Sequence, residues 1–197
     1  MAVSKNKPIN SLPAEWYTDD KFLEKEMNQI FLKSWLLIGP EASIPNPGDC
    51  LFQSIADQPI VCARQEDNSI KTFFNICRHR AGSFENKKSK NNYLVCKYHG
   101  WTYSINGQLM SPRGFNKSEI AVEELCLKNI NTKVWKGLIF INFCDKPKSF
   151  GNTFNDIEKV LAPYKLENFV FDRRVSYSVK SNWKVYLDNF LEGLHIP

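Results

Sequence analysis

The sequence predicts an α+β fold, in which an N-terminal helix precedes a small antiparallel β domain and a segment of mixed helix and strand follows it. Three observations predict this fold. Apolar residues recur at helical spacing before residue 36, short strand-like runs separated by turn residues fill residues 36–143, and the pattern becomes partly helical again after residue 148. A chain of 197 residues suits one domain and part of another.

The first predicted element is an amphipathic helix over residues 21–34. Thr18, Asp19 and Asp20 precede it and supply side chains of the kind that cap helix N-termini. We expect its apolar stripe to pack into a core rather than to bind a ligand. That stripe consists of Leu23, Met27, Ile30, Phe31 and Trp35.

The middle of the chain consists of short predicted strands and tight turns. Asp57-Gln58 and Asn106-Gly107 each separate two strand-like runs, and Asn-Gly is the strongest short hairpin signal. Gly137 marks a third turn. Close spacing of short strands predicts a small antiparallel β domain. The predicted strands are 51–55, 60–63, 70–76, 93–95, 102–105, 108–110, 134–135 and 138–143.

After residue 148 the sequence predicts a short helix over 155–161, a strand over 173–180 and a final helix that begins at Asn182. The change in texture near residue 148 predicts a domain boundary. The predicted organisation is therefore an N-terminal helical segment (1–35), a β domain (36–148) and the start of a further domain (149–197).

Two Cys/His pairs are the most informative feature of the chain. Cys77 and His79 are followed, after sixteen intervening residues, by Cys96 and His99. Two thiolates can hold one iron of a binuclear cluster while two imidazoles hold the other, which is the ligand set of a Rieske [2Fe-2S] cluster. A Cys₂His₂ zinc site is the alternative, but such sites usually group the two Cys and then the two His.

The residues beside these pairs carry a resemblance to a family. Arg80-Ala81-Gly82 and Gly100-Trp101 resemble the cluster loops of Rieske oxygenases. Respiratory Rieske proteins have a further disulfide-bonded Cys in each loop, at the positions of Gly82 and Tyr98 here. Neither residue is Cys, so the resemblance implies the low-potential type. We expect Trp101 and Pro112 to cover the cluster and limit access of water.

The other cysteines and the charge of the chain narrow the class of protein. Outside the two loops, the thiols lie in apolar or strand-like runs and are expected to be reduced core thiols in a cytosolic protein. The net charge of +5 is scattered, which argues against a nucleic-acid interface. One basic cluster, at residues 87–90, is either a solvated loop or a docking spot for an acidic electron donor. The four remaining cysteines are Cys50, Cys62, Cys126 and Cys144.

The sequence shows neither a secretory signal nor a membrane anchor. The first seven residues lead into polar sequence without an apolar segment, and no apolar run approaches the roughly 18 residues that a membrane span needs. A cytoplasmic protein is therefore the expectation.

The final helix carries a second candidate site. Asp188, Glu192 and His195 stand at i, i+4 and i+7, so they share one face. Taken alone, this spacing is weak, because surface pairing explains it as well. The run from Asp188 to His195, with Asn182-Trp183-Lys184 before it, resembles the segment that opens the catalytic domain of Rieske non-haem iron oxygenases.

The resemblance implies roles for these residues. His195 would be the first ligand of a mononuclear Fe(II) held by two His and one carboxylate. Glu192 would bridge to a cluster-ligating His of a neighbouring subunit, and Asn189 would lie near the iron. The chain has only three His, and two of them are assigned to the cluster. We therefore expect a truncated catalytic domain whose remaining iron ligands are absent from this sequence.

The resemblance covers nearly all of the chain. The opening residues 12–19 look similar to choline monooxygenase and other quaternary-ammonium oxygenases. The resemblance implies a homotrimer, a ferredoxin and/or flavin reductase as electron donor, and oxygen insertion into a small organic substrate. Three alternatives stay open: a stand-alone Rieske electron carrier, a ring-hydroxylating dioxygenase, and a zinc-stabilised interaction module.

Overall fold

The structure, a computed structural model, describes residues 11–84 and 93–191 of the chain. These residues belong to two compact units. The terminal unit comprises the described residues of 1–30 and 173–197, and the central unit comprises those of 31–172. The α+β class is confirmed, because helices accompany antiparallel sheets. The domain boundary near residue 148 stays a prediction.

The terminal unit contains helices α1 (Glu15–Thr18), α2 (Asp20–Gln29) and α4 (Trp183–Leu191). The predicted N-cap of α2 is confirmed, because the Asp19 carboxylate accepts a hydrogen bond from the Lys21 backbone N–H at 2.9 Å. The predicted apolar stripe is only partly buried, and Ile30 is exposed. The buried residue of α2 is Glu26.

The first helix was predicted to continue to residue 34, and this is wrong. The α-helix ends at Gln29, and a short 3-10 turn covers Phe31–Lys33. Polar contacts of the central unit hold this stretch. The Asn142 side-chain amide donates to the Lys33 carbonyl at 3.2 Å, and the Trp35 indole N–H donates to the Lys148 carbonyl at 2.9 Å. The first contact satisfies a backbone carbonyl that a continued helix would otherwise use.

The central unit contains two antiparallel sheets. The larger one has the strand order β1-β9-β8-β4-β3-β2, and the smaller one has the order β5-β6-β7. The sequence missed β1 and most of β8. The strands are β1 (Leu36–Pro40), β2 (Cys50–Ile55), β3 (Gln58–Arg64), β4 (Ile70–Phe74), β5 (Tyr93–Val95), β6 (Thr102–Ser104), β7 (Leu109–Ser111), β8 (Asn129–Trp135) and β9 (Leu138–Asn142).

The predicted hairpins are confirmed. In the first, Ile55 pairs with Gln58, so the two turn residues are Ala56 and Asp57, one position earlier than predicted. Both have positive φ, at 50° and 58°, which matches the turn geometry favoured by two-residue hairpins. The β8–β9 hairpin likewise turns at Lys136 and Gly137, with φ of 48° and 76°.

Gly107 lies in the turn between β6 and β7 and has a φ of 87°. A Cβ at this position would lie 2.5 Å from the ring of Phe73, which belongs to the buried core. We expect Gly107→Ala to lower the free energy of unfolding of the central unit by about 3 kcal/mol, because strained backbone adds to overpacking. Denaturant unfolding measures this.

Gly114→Ala is the matched control for this prediction. Gly114 also has a positive φ, 92°, but a Cβ there would have no heavy atom within 4 Å. This variant carries the backbone cost of about 1–2 kcal/mol without a clash. Equal losses of stability in the two variants would show that the Phe73 contact costs nothing.

Helix α3 (Phe150–Leu161) packs on the larger sheet through aromatic rings. The ring of Phe154 lies 5.4 Å from that of Trp135 and 4.9 Å from that of Phe140. The sequence predicted only residues 155–161, since Gly151 lowers helix propensity at its start. These aromatic contacts anchor the additional turn.

The predicted strand over residues 173–180 is wrong for this structure. No strand is formed there, and Tyr177 is 86% exposed. The residues alternate as a strand would, but alternation alone supplies no partner for the backbone hydrogen bonds. Among the described helices, none has the length and apolar character to cross a membrane.

Candidate metal centre

The first Cys/His loop joins β4 to Phe84 and is closed by two backbone hydrogen bonds. The Cys77 N–H donates to the Gly82 carbonyl at 2.8 Å, and the Ala81 N–H donates to the Cys77 carbonyl at 3.0 Å. Ala81 has a φ of 54°, which turns the chain sharply. The loop therefore curls around the Cys77 side chain.

The second loop, between β5 and β6, repeats this geometry. The Cys96 N–H donates to the Trp101 carbonyl at 2.8 Å, and the Gly100 N–H donates to the Cys96 carbonyl at 3.0 Å. Gly100, like the residue at the same place in the first loop, has a positive φ, of 73°. Two loops of the same construction thus present one Cys and one His each.

The two loops are tied to each other. Phe84 and Cys96 form a β-bridge, and the Lys97 N–H donates to the Ser83 carbonyl at 3.1 Å. Gly82 lies at the tightest point, because a Cβ there would be 2.8 Å from the Cys96 sulfur and 3.0 Å from the Tyr98 Cβ. The positions where respiratory Rieske proteins have their extra Cys therefore face each other here.

The four predicted ligands are brought together as two pairs. The thiols of Cys77 and Cys96 are buried in one core cluster, at 2% and 3% exposure, and interact with each other. The imidazoles of His79 and His99 are half-buried, and their ring centroids are 4.8 Å apart. The sulfur atoms thus lie inside the fold, and the imidazole rings as a whole are more exposed.

Tyr103 is a site residue whose role the sequence did not reveal. Its hydroxyl lies 3.6 Å from the Cys77 sulfur and accepts a hydrogen bond from the Arg78 backbone N–H at 3.2 Å. Its side chain is fully buried, and burial, followed by the hydrogen bond and charge of Cys77, raises its pKa. The tyrosine therefore stays protonated and can donate to the sulfur.

The ionisation of Cys77 and His79 follows from burial. Burial raises the pKa of the Cys77 thiol. The His79 backbone N–H and the Tyr103 hydroxyl lower this pKa, while the nearby Cys96 thiol raises it further. Desolvation lowers the pKa of His79, and the positive charges of His99 and Arg80 lower it further. A neutral imidazole is the form that binds a metal.

Aromatic rings enclose the imidazole pair. Trp101, which the sequence predicts to cover the cluster, is stacked on His79 at 4.6 Å with an interplanar angle of 6°. Tyr98 stacks on His99 at 3.8 Å, and Phe115, which the sequence did not single out, meets His79 edge-on at 5.8 Å. Pro112, the other predicted cover residue, is buried. Its carbonyl accepts a hydrogen bond from the Phe115 N–H at 2.9 Å.

The donor set fits a [2Fe-2S] cluster. The Nδ1 atom of His99 is buried and has no hydrogen-bond partner among the described residues, which is costly unless a further group satisfies it. Within residues 11–84 and 93–191, no three His, Cys, Asp or Glu side chains are placed to hold one ion. A Rieske cluster takes two protein ligands on each iron, so paired donors suit it.

The remaining cysteines do not join this centre. Burial raises the pKa of Cys50 to about 12 and that of Cys62 to about 11, so both are neutral thiols at physiological pH. Cys62 is fully buried, whereas Cys126 and Cys144 are half-buried, and all six cysteines are free thiols.

The second predicted site is only partly described. Glu192 and His195 lie outside the described residues, as do residues 87–90. Asp188 and Asn189 lie on α4, and the Asp188 carboxylate accepts a hydrogen bond from the Tyr17 hydroxyl at 2.8 Å. The structure therefore describes the helix that leads to the predicted site, and the metal-ligand role of His195 stays a prediction.

Comparison with known proteins agrees with this geometry. Residues 34–123 match the family model described as the Rieske [2Fe-2S] domain. The glycine betaine monooxygenase oxygenase subunit of Pseudomonas aeruginosa (strain UCBPP-PA14) is 32% identical, over 94% of this chain and 43% of the relative. The chloroplastic choline monooxygenase of Arabidopsis thaliana is 29% identical, over 94% of this chain and 47% of the relative.

A solved structure extends the comparison to the fold. The quaternary ammonium Rieske monooxygenase CntA, in complex with its substrate L-carnitine, is 25% identical with a TM-score of 0.86, over 93% of this chain and 53% of that one. This chain thus spans about half the length of the proteins it matches, or somewhat less. Residues 34–123 therefore form a Rieske [2Fe-2S] domain, and the chain as a whole is similar to quaternary-ammonium Rieske oxygenases.

Proposed function

We propose that this chain is the cluster-bearing part of a Rieske oxygenase that acts on a small quaternary amine. The observation that carries the proposal is the pair of matching loops, which put two thiols together in the core and two imidazoles together near the surface. Cys77 and Cys96 would hold one iron of the cluster, and His79 and His99 the other. The [2Fe-2S] cluster supplies one-electron storage at a potential set by its surroundings.

The residues of this chain would tune and shield that centre. The Tyr103 hydroxyl, beside the Cys77 sulfur, would stabilise the added electron by hydrogen bonding. Trp101 and Phe115 would keep water from His79. The orphan Nδ1 of His99 supports ligation through that atom.

The longer protein would use the electron for oxygen chemistry. In this proposal His195 is a ligand of a mononuclear Fe(II), and Glu192 links it to a cluster His of the neighbouring subunit in a homotrimer. A ferredoxin and/or flavin reductase supplies the electrons. The quaternary-amine substrate rests on similarity to proteins that concern glycine betaine, choline and L-carnitine. A cytoplasmic location stays a prediction from the sequence.

The first test is the metal content of the purified chain. We expect iron and acid-labile sulfide in equal amounts and a visible spectrum that bleaches on reduction. We expect His79→Cys to lose the cluster or to lower its potential, toward the roughly −400 mV of all-cysteine plant-type clusters, because thiolate adds negative charge. A colourless protein with bound zinc would refute the proposal and favour the zinc-stabilised interaction module.

The role of Glu192 is tested in the longer protein that holds both metals. We expect Glu192→Gln to leave both sites filled and to slow electron transfer from the cluster to the mononuclear iron by about 10- to 100-fold, as loss of a metal's supporting hydrogen bonds does. Single-turnover oxidation of the reduced cluster, followed by stopped-flow absorbance, measures the rate. An unchanged rate would remove the bridging role.

A further inference from the structure

A cavity of about 550 Å³ lies directly beside the first Cys/His loop. Its apolar part is formed by Phe74 and Ile76, and Ile76 is 36% exposed. Both Cys77 and His79 line it, so whatever fills it lies against the loop that presents two of the proposed cluster ligands. The cationic residues of its lining are Arg78, Arg80 and Lys128.

The charged side chains that line this cavity with a fixed charge are all cationic. None of its lining residues is Asp or Glu. All three cations are exposed, and within the described part of the chain no carboxylate lies within salt-bridge distance of them. They therefore produce a positive potential over the loop, in a chain whose net charge is already +5.

A second cavity provides a contrast. It is larger, about 610 Å³, but Glu66 and Asp67 line it together with Lys71. None of its lining residues belongs to either Cys/His loop, and its lining has both acidic and basic side chains. Volume alone would favour this second cavity, whereas charge and proximity to the candidate metal centre favour the first.

We infer that the cavity beside Cys77 is the docking surface for an acidic one-electron carrier protein that reduces the cluster. A cationic rim around a small apolar centre is the arrangement that steers an acidic partner and then excludes water from the contact. One electron leaves the reduced carrier, which is oxidised, and the cluster gains that electron. The inference rests on the proposed function and adds where the donor binds and which charge it carries.

Matched pairs of charge deletions test the inference. The test variant is Arg78→Gln/Lys128→Gln, and the control is Lys133→Gln/Lys159→Gln, which removes the same charge from exposed positions outside the cavity. The probe is a plant-type [2Fe-2S] ferredoxin of net negative charge. Two quantities are measured on the cluster-loaded chain at several salt concentrations: the Kd for the oxidised ferredoxin by calorimetry, and the second-order rate of cluster reduction by stopped flow.

We expect the test variant to bind the ferredoxin about tenfold more weakly and to be reduced about tenfold more slowly at low salt, with a flatter salt dependence. The control variant should stay within about twofold of the parent, since exposed charges that lie outside the contact are screened by solvent and salt. Reduced methyl viologen, a small cation, should reduce all three proteins, which shows that the cluster is intact.

Three outcomes would overturn the docking surface alone, and the first two are a test variant equal to the control and salt-independent reduction of the parent. A test variant that changes the oligomeric state, seen by light scattering, while binding ferredoxin normally would assign the cavity to a contact between copies of the chain and would also overturn it. Failure of the parent chain to take up iron and sulfide would instead refute the proposed function and this inference with it.

Discussion

Replacing Gly82 with Ala should weaken cluster binding and lower the cluster content of the chain, while leaving the β-sheets folded. A Cβ at this position would lie 2.8 Å from the Cys96 sulfur, closer than real Cβ contacts come, and 3.0 Å from the Tyr98 Cβ, tighter than most real contacts. The Gly82 carbonyl also accepts the hydrogen bond that closes the loop on Cys77. The added methyl group can be accommodated only if the two loops separate, which pulls apart the two thiols.

The expected cost is about 1–3 kcal/mol, the usual penalty for overpacking a close-packed site. The strain arises where the two loops bring the thiols together. We therefore expect most of this free-energy cost to appear as lost cluster affinity. Iron and sulfide per chain measure the loss, and far-ultraviolet circular dichroism checks that the strands persist.

Gly151→Ala is the control for the Gly82 substitution. It lies in helix α3, where an added Cβ would have its nearest contact at an ordinary 3.5 Å from the Asn155 side chain. This variant should keep its full iron and sulfide content. Full cluster content in the Gly82→Ala protein would show that the loops can separate without releasing the cluster, and would refute the steric argument.

The sequence predicts the centre well because its ligands lie on loops of fixed spacing. Cys77, His79, Cys96 and His99 could be identified from residue type and order alone. Tyr103 could not, since its hydroxyl reaches Cys77 only through the pairing of β6 with β5 and the return of the second loop onto the first. A local pattern reveals residues that act through their neighbours in the chain, but not a contact that depends on tertiary packing.

The same limit explains the failures in the fold. The sequence identified turns such as Ala56-Asp57 to within one residue, because turn chemistry is local. It placed the end of the first helix wrongly, because contacts of the Lys33 carbonyl and the Trp35 indole with distant strands and loops decide that end. The sequence analysis considered only the apolar residues of the first helix. It overlooked Glu26, which is the residue that α2 buries.

Glu26 and Lys184 form the second site where we expect a large effect. The Lys184 ammonium lies 2.7 Å from both carboxylate oxygens of Glu26, and both side chains are largely buried in the terminal unit. The Trp183 indole N–H donates to the same carboxylate at 2.8 Å. The ammonium also lies 5.6 Å from the Tyr17 ring centroid. One carboxylate therefore connects α2 to the first turn of α4.

We expect Glu26→Gln to lower the free energy of unfolding of the terminal unit by about 3–5 kcal/mol at neutral pH, because it leaves the buried Lys184 charge unpaired. Glu26→Gln/Lys184→Met should recover most of this loss, since no buried charge remains and the amide oxygen can still accept from Trp183. Denaturant unfolding followed by circular dichroism measures both proteins. A single variant within about 0.5 kcal/mol of the parent would contradict the prediction.

The pH dependence separates this ion pair from simple packing. Burial alone would raise the pKa of Glu26, but the hydrogen bonds from Lys184 and Trp183 and the Lys184 charge outweigh it and hold the pKa below its usual value. A lowered carboxyl pKa in the folded state stabilises the fold above the unfolded pKa of about 4.3, and that contribution is lost as the pH falls through the folded pKa. The stability difference between the parent and Glu26→Gln should therefore be constant above about pH 5 and shrink below it. If Glu26→Gln only disturbed packing, the stability difference would be the same at every pH, because a packing contact does not titrate.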